Sequence, residues 1–380
     1  MTDLFAAEAY SSARRPLPDA NTLPPAAYHH PAFYQREIDR LFLKEWNFIG
    51  HEGQLPEPGS YFTIDYAGIP VVLTRNADGE IHAFANSCRH RGIRLLTGEG
   101  QARSIVCKYH GWSYDLNGAL RGIPGMENVN DFDKADNGLV PVRLEKMGPF
   151  MWINFDADAP SLARHLGDLP GKVASHGLDE LVLTRRVEYD VQCNWKVYVE
   201  NFMDYYHTPT VHQKTLARGS LSVYHRKPVD LAACDGNYLE LYAAHDGTAG
   251  LLPGAEGFPF WPGLDGRCKV GSTFIFTSTC GLFGFTKDCV WYVQLNPTGP
   301  ESVRLTVGSC FHRATVARPD FEEVVQRYYE RWNVAVAEDN VINELQQQGV
   351  RSLLTRAGRV SPLEAVSYAF RLQLLDKLAL

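Results

Sequence analysis

Two cysteine–histidine pairs stand out in the first half of the sequence. Sixteen residues separate Cys88-x-His90 from Cys107-x-x-His110, and glycines close to each pair allow tight loops. The intervening segment contains a turn at Gly98–Gly100 and a short apolar strand that leads into the second cysteine. Two loops carried by strands can therefore each offer one thiolate and one imidazole to a shared metal centre.

The way these ligands are paired helps to distinguish between metals. Zinc fingers usually space their cysteines by two to four residues and their histidines by three to five. Here each cysteine is paired with a histidine, which fits a Rieske [2Fe–2S] cluster, where two cysteines bind one iron and two histidines the other. The two neutral imidazoles raise the reduction potential to about −150 to +300 mV, which suits an electron relay. A zinc site and a metal-free structural role are the rival interpretations.

A second group of possible ligands lies in the middle of the chain. Lys196–Tyr206 contains no glycine or proline and predicts a helix, which Pro209 is expected to end. Asp204 and His207 lie three residues apart, on one face of that helix, and the break at the proline lets His212 turn to the same point. Two imidazoles and a carboxylate suit non-haem Fe(II). The aspartate is either a ligand itself or a partner of the far nitrogen of the first histidine.

A further carboxylate is available near the C-terminus. The segment from Pro319 to Gly349 predicts a long helix. Glu338, Asp339 and Glu344 lie on it, and all three are plausible iron ligands when judged from the residues alone. A solvated acidic helix face is the alternative interpretation.

Both groups resemble motifs of the Rieske non-haem iron oxygenases. CRHRG (88–92) and CKYHGW (107–112) resemble the family's Rieske motif, and the pattern NWK…EN…DxxHxxxxH (194–212) resembles the catalytic iron motif of its α subunits. The resemblance implies three sets of functional residues: cluster ligands Cys88, His90, Cys107 and His110; iron ligands His207, His212 and Asp339; and a bridging carboxylate, Asp204. In the family, that bridge joins the cluster of one subunit to the iron of its neighbour.

The resemblance also implies an activity. It predicts the terminal oxygenase component of a multicomponent system, which uses O2 and electrons from a separate NAD(P)H reductase, directly or through a ferredoxin. The expected substrate is an aromatic or other small organic molecule that the enzyme hydroxylates. The alternative is a quaternary-ammonium monooxygenase of the choline or betaine type, or an N-demethylase. Mono- and dioxygenation both stay open, and the expected assembly is a homotrimer (α3) or an α3β3 complex.

Length and composition bound the fold. The chain has 380 residues, a net charge of −7 and 45% hydrophobic residues, which predicts two domains with sizeable cores. The expected class is α+β, with an N-terminal arm and helix (1–45), a β-rich Rieske domain (46–156) and a helix-on-antiparallel-sheet, helix-grip-like catalytic domain (157–380). The segment 221–312 is strand-rich. Six of its aromatic residues are candidates for a substrate pocket: Phe274, Phe276, Phe283, Phe285, Trp291 and Tyr292.

Other functional classes fit less well. The mild acidity gives no support for nucleic-acid binding, and no apolar run approaches the roughly 18 residues that span a bilayer. The N-terminus does not resemble a signal peptide, which predicts a cytoplasmic protein in which the six remaining cysteines are ordinary buried residues. A Rieske electron carrier without its own catalysis needs only about 110 residues, and a zinc-stabilised binding module would be colourless.

Overall fold

The computed structural model describes residues 3–217 and 232–380. Its first half contains one α-helix, α1 (Pro31–Glu37), which continues as a π-helical turn at Ile38–Phe42. Ten strands follow: β1 (Asn47–His51), β2 (Ser60–Tyr66), β3 (Ile69–Arg75), β4 (Ile81–Ala85), β5 (Glu99–Gln101), β6 (Ile105–Val106), β7 (Ser113–Tyr114), β8 (Leu120–Gly122), β9 (Pro141–Met147) and β10 (Phe150–Asn154). They form a seven-stranded sheet in the order β1-β10-β9-β4-β3-β2-β5 and a three-stranded sheet in the order β6-β7-β8.

The second half is built on one antiparallel sheet. Its strands are β11 (Leu181–Val191), β12 (Tyr238–Ala244), β13 (Gly271–Thr277), β14 (Gly281–Phe285), β15 (Val290–Gly299) and β16 (Ser302–His312), in the order β11-β16-β15-β14-β13-β12. Its helices are α2 (Leu162–Leu166), α3 (Leu169–Val173), α4 (Trp195–Phe202), α5 (Thr208–Val211), α6 (Gly266–Val270), α7 (Arg313–Val316), α8 (Phe321–Val350) and α9 (Ala365–Leu378). The predicted α+β class and the strand-rich segment are confirmed, although residues 221–231 of that segment lie outside the described residues.

Single 3₁₀ turns complete the described elements. They lie at Ala7–Tyr10, Leu17–Asp19, Pro25–Tyr28, Glu52–Gln54, Ala135–Asn137, Ala174–His176, Leu178–Glu180 and Pro362–Glu364. No helix in the described ranges is both long enough and apolar enough to span a bilayer.

The six-stranded sheet is covered on both faces. Because side chains alternate along a strand, Phe274 and Trp291 point to the face where α4, α8 and α9 pack. Phe283 and Tyr292 point to the opposite face, where they meet the seven-stranded sheet. Phe48 of β1 lies against both, with ring centroids 4.7 Å from Phe283 and 5.2 Å from Tyr292. The two sheets therefore share one aromatic core, and the helices lie on the other side.

The N-terminal segment belongs to the helical side of this core. The carboxylate of Glu37 accepts a 2.6 Å hydrogen bond from the Lys196 ammonium of α4, and both side chains are fully buried. The Tyr28 hydroxyl donates to Glu200 of the same helix at 2.7 Å. The segment thus packs against the predicted catalytic domain. The domain boundaries at 45/46 and 156/157 stay predictions.

The predicted end of the central helix was wrong. Helix α4 begins after the Asn194 cap and ends at Phe202, and Met203 leaves the helical region with φ −91° and ψ 24°. The Asp204 carboxylate accepts a hydrogen bond from the backbone N–H of Tyr206, a local side-chain turn that competes with the helix. Pro209 does not end the helix as predicted. It lies in the first turn of α5, where the missing backbone N–H costs little.

Candidate metal centres

The two cysteine–histidine loops meet in the structure. Cys88 follows β4 and Cys107 follows β6; both are 3% exposed, and the Cys88 thiol lies close enough to that of Cys107 to help lower its pKa. The rings of His90 and His110 have centroids 4.7 Å apart. Sulfur is therefore paired with sulfur and imidazole with imidazole, which is the arrangement that a two-iron cluster with different ligands on each iron requires.

Both loops use the same backbone turn to present their ligands. The N–H of Gly92 donates to the carbonyl of Cys88 at 2.9 Å, and the N–H of Gly111 donates to that of Cys107 at 3.0 Å. Both glycines have positive φ values, 71° and 74°, which strain other residues. Burial raises the pKa of the Cys107 thiol, but the backbone N–H groups of the turn and the neighbouring thiol outweigh it and lower the pKa overall. The turn thus favours the thiolate that binds metal.

The histidine side of this loop pair faces outward. His90 and His110 are exposed, whereas both cysteines are buried. The ring of Trp112 stacks under that of His90 at 4.9 Å and holds its orientation. A cluster bound by these loops would therefore have its histidine ligands at the surface of the chain.

His207, His212 and Asp339 form the second centre. Helix α5 is only four residues long, and His207 precedes it while His212 follows it. The Oδ1 atom of Asp339, on α8, lies 3.1 Å from the Nε2 of His212 and 3.7 Å from that of His207. One ligand atom from each residue lies within 4.8 Å of the other two. Two imidazoles and one carboxylate that converge in this way fit a single Fe(II) ion with positions left open.

The outer nitrogens of the two histidines meet carboxylates. The Nδ1 of His207 lies 3.2 Å from Asp204 Oδ2, and the Nδ1 of His212 lies 2.7 Å from Glu338 Oε2. The Thr215 hydroxyl donates to the same glutamate oxygen at 2.7 Å. These contacts keep the proton on Nδ1 and leave the Nε2 lone pair for metal. The sequence left open whether Asp204 is a ligand or a partner of a ligand, and the geometry places it with the partners.

The remaining carboxylate candidate points elsewhere. Glu344 accepts a hydrogen bond from the backbone N–H of Gln192 at 3.0 Å, so it fastens α8 to the end of β11. The electrostatics of His212 reflect its two carboxylate contacts. Burial lowers its pKa, but the hydrogen bond and charge of Asp339 and the hydrogen bond of Glu338 raise the pKa overall.

A cavity of about 90 Å³ adjoins the second centre. Its wall includes Phe202, Phe274, Trp291 and Val293. Two of the six aromatic residues proposed from the sequence therefore line it. The prediction was wrong for the other four, which the structure places away from this wall: Phe276, Phe283, Phe285 and Tyr292.

The sequence did not indicate two residues of this region. Glu338 was considered only as an iron ligand, and Arg331, whose side chain is buried in the cavity wall, was not considered at all. The arginine precedes Asp339 by eight residues on α8, about 12 Å of helix rise. Its position two turns before the predicted ligand Asp339 on the same helix could have indicated that Arg331 lies near the site.

Comparisons with known proteins agree with both centres. Residues 45–133 match the Rieske [2Fe-2S] domain family, and residues 178–379 match the family described as "Ring hydroxylating alpha subunit (catalytic domain)". Choline monooxygenase of Beta vulgaris is 28% identical over 372 residues, which cover 96% of this chain and 78% of that protein. The carnitine monooxygenase oxygenase subunit of Escherichia coli K12 is 36% identical over 197 residues, 51% of this chain and 53% of that one.

The fold is also that of solved Rieske oxygenases. The apo form of a quaternary ammonium Rieske monooxygenase superposes with a TM-score of 0.75 at 24% identity, covering 94% of this chain and 95% of that one. The cysteine–histidine loops lie within the first matched range, and the histidine–carboxylate centre lies within the second. The chain belongs to the ring-hydroxylating α-subunit family and is the terminal oxygenase of a Rieske system, an O2-using oxidoreductase with a Rieske [2Fe–2S] cluster and a mononuclear iron.

Proposed function

We propose that the two centres described above hold the two metal groups. Cys88 and Cys107 bind one iron of the cluster, and His90 and His110 bind the other. His207, His212 and Asp339 bind the mononuclear Fe(II). The observation that carries this assignment is the convergence of three ligand atoms within 4.8 Å, with a carboxylate on the outer nitrogen of each histidine.

Electron delivery is proposed to cross a subunit boundary. Within the described residues, the Asp204 carboxylate has hydrogen bonds to the backbone N–H of Tyr206 and to the Nδ1 of His207. His90 and His110 are exposed and lie on a separate domain. A neighbouring subunit that places its exposed imidazoles against Asp204 would connect the two centres through hydrogen bonds. This supports a homotrimer, alone or with a second type of subunit, and electrons from a separate reductase, directly or through a ferredoxin.

The chain's own groups prepare the reaction. When bound, the cluster supplies electrons and the Fe(II) supplies the site where dioxygen is reduced. Asp204 and Glu338 hold the Nδ1 protons of the ligand histidines, which keeps both Nε2 atoms directed at one point. Asn201 donates to the Oδ1 of Asp339 at 3.3 Å and restrains the third ligand. The apolar cavity wall excludes water from the substrate.

The proposed reaction is monooxygenation of a small quaternary-ammonium compound. The relatives named above act on choline and carnitine, and aromatic rings in the cavity wall suit an alkylated nitrogen. From the sequence alone, this activity is the alternative to hydroxylation of an aromatic or other small organic substrate. Hydroxylation of an aromatic ring is the second candidate, which the description of the matched family and the apolar cavity wall favour. The cytoplasmic location stays a prediction.

Metal content and coupled turnover test the proposal. Anaerobically purified protein should contain three irons and two acid-labile sulfides per chain and give a Rieske EPR signal after dithionite reduction. With a reductase and NADH, O2 uptake should depend on one of the offered quaternary amines and yield its hydroxylated or dealkylated product. If the protein contains two irons per chain and added Fe(II) does not raise this content to three, the chain is an electron carrier and the proposed oxygenase activity is refuted.

A further inference from the structure

The wall of the iron-side cavity contains a buried cation. Arg331 is 6% exposed, and its Nε atom has no hydrogen-bond partner among residues 3–217 and 232–380. Its guanidinium lies over the ring of Trp291, 5.1 Å from the centroid. Burial lowers the pKa of this arginine to about 10, so it remains charged at neutral pH. A buried charge without a hydrogen-bonded counter-ion is costly, and such groups normally have a partner.

The carboxylates of the cavity are already engaged. Asp204 is held by His207 and by the backbone N–H of Tyr206. Asp339 faces the two Nε2 atoms and accepts from Asn201. When Fe(II) binds, the charge of Asp339 is offset by the metal. Among the described residues, Asp339 is the carboxylate whose charge acts on Arg331, and no hydrogen bond joins the two, so a bound Fe(II) would leave the guanidinium without a free counter-ion.

We propose that Arg331 binds a carboxylate of the substrate, so that this oxygenase takes a carboxylate-bearing molecule and discriminates against a simple cation such as choline. This inference rests on the proposed function and narrows its substrate class. The planar guanidinium can hold a carboxylate through two parallel hydrogen bonds. The face of Trp291 that would otherwise attract an ammonium group is covered by the guanidinium, and like charges repel there.

The spacing along α8 indicates which end of the substrate reacts. Arg331 and Asp339 are separated by eight residues, about 12 Å of helix rise. A substrate carboxylate at the arginine would therefore be held from a part of α8 about two turns before the proposed iron ligand, which leaves the other end of the substrate to approach the iron. A zwitterion such as carnitine or γ-butyrobetaine fits with its carboxylate at the arginine, and so does an aromatic carboxylate such as benzoate.

Ligand binding to the reduced, iron-loaded holoenzyme under anaerobic conditions tests the inference. Isothermal titration with γ-butyrobetaine, carnitine, benzoate and choline should give a measurable Kd for at least one carboxylate and a choline affinity at least about 30-fold weaker. In Arg331→Met, the affinity for that carboxylate should fall about 30-fold or more, the usual range for truncation of one partner of a buried charge pair. Which carboxylate binds distinguishes a zwitterionic from an aromatic substrate.

Matched variants separate this effect from misfolding. Arg327→Met removes a cation one turn earlier on α8, where the side chain is 38% exposed and pairs with Glu323, and it should leave Kd unchanged. Arg331→Lys keeps the charge without the planar fork and should lose less affinity than Arg331→Met. Choline that binds as tightly as the carboxylates, carboxylate binding unaffected in Arg331→Met, or no carboxylate binding at all would each overturn the inference. Iron and sulfide content report on the proposed function independently.

Discussion

Glu338 should control how tightly the mononuclear iron is held, although it is not placed as a ligand. Its carboxylate lies 2.7 Å from the Nδ1 of His212, and that histidine is almost fully buried. The contact fixes the tautomer and the ring orientation that direct Nε2 towards Asp339. Glu338→Gln keeps an acceptor oxygen but removes the charge, and Glu338→Ala removes the hydrogen bond.

The size of the effect follows from the type of bond. A hydrogen bond to a charged group contributes about 1.5–3 kcal/mol, and a neutral one contributes about 0.5–1.5 kcal/mol. The glutamine variant should therefore lose about 1–1.5 kcal/mol of iron binding, about tenfold in affinity. The alanine variant should lose up to about 3 kcal/mol, on the order of a hundredfold. Both values fall near the 10–100-fold range that outer partners of metal ligands usually show.

Competition between the protein and a chelator for Fe(II), under anaerobic conditions, measures this affinity. The Rieske EPR signal of the same sample provides an internal reference, because the cluster loops are remote from Glu338 in sequence and should keep full occupancy. Glu330→Gln is the matched control, since Glu330 is exposed on the same helix. Unchanged iron affinity in both Glu338 variants would refute the orienting role. A parallel loss of the Rieske signal would show that the substitution unfolds the chain.

Three further results are expected. Asp204→Asn should retain both metals, with Fe(II) supplied in excess, but slow the reoxidation of the reduced cluster by O2 and substrate in single turnover; a normal rate would rule out the bridge. Lys196→Met should lower the free energy of unfolding by about 3–5 kcal/mol in urea titrations, because it leaves the Glu37 carboxyl buried without its partner. A combined Lys196→Met and Glu37→Leu variant should recover most of the lost stability. A Lys196→Met variant whose stability lies within about 1 kcal/mol of the parent would contradict the role of this ion pair. Burial lowers the pKa of His176 to about 4, so the native protein excludes a proton that the unfolded chain binds below about 6.5. As the pH falls from about 6.5 to about 4, this histidine alone should contribute about 3 kcal/mol to the loss of stability. His176→Phe should reduce the pH dependence by that share, and an unchanged slope would refute the assignment.

The cluster loops were predictable because their information is local. Cys88 and His90 are only two positions apart in the sequence, so the chain itself holds them close together. The turn that presents them needs a glycine at position 92, which the sequence contains. The pairing of cysteine with histidine in each loop is sufficient to indicate two different ligand sets. The meeting of the two loops is the one long-range contact that this part of the site requires.

The choice of Asp339 as the proposed third iron ligand depended on the resemblance, and the structure supplies the physical reason. Successive residues on a helix are 100° apart, so Glu338 and Asp339 point in directions different enough to reach opposite nitrogens of His212. Glu344 lies five positions beyond Asp339, about 140° around the axis, and reaches Gln192. The residue types alone cannot show which of the three carboxylates faces the histidines. That depends on how the helix is rotated about its axis relative to the elements packed against it.

The pocket aromatics failed for a different reason. Strands β13 and β14 are buried on both faces, so their hydrophobicity does not alternate. Nothing in the sequence then tells which of Phe274 and Phe283 faces the helices. The register of β13 against β14 pairs Ile275 with Phe283, and this register sends Phe283 to the face opposite the one that Phe274 occupies.

The helix break that the sequence did not predict is the feature that makes the proposed iron centre possible. On one continuous helix, His207 and His212 would diverge by about 140°. The structure instead ends α4 before Asp204 and places the histidines at the two ends of α5, with ring centroids 5.4 Å apart and a 70° angle between the planes. This lets the inner nitrogens converge on Asp339 while the outer ones diverge to Asp204 and Glu338. The hydrogen bond from the Tyr206 N–H to Asp204 therefore has two consequences: it competes with continuation of the helix, and it orients the carboxylate that is proposed to bridge the two metal centres.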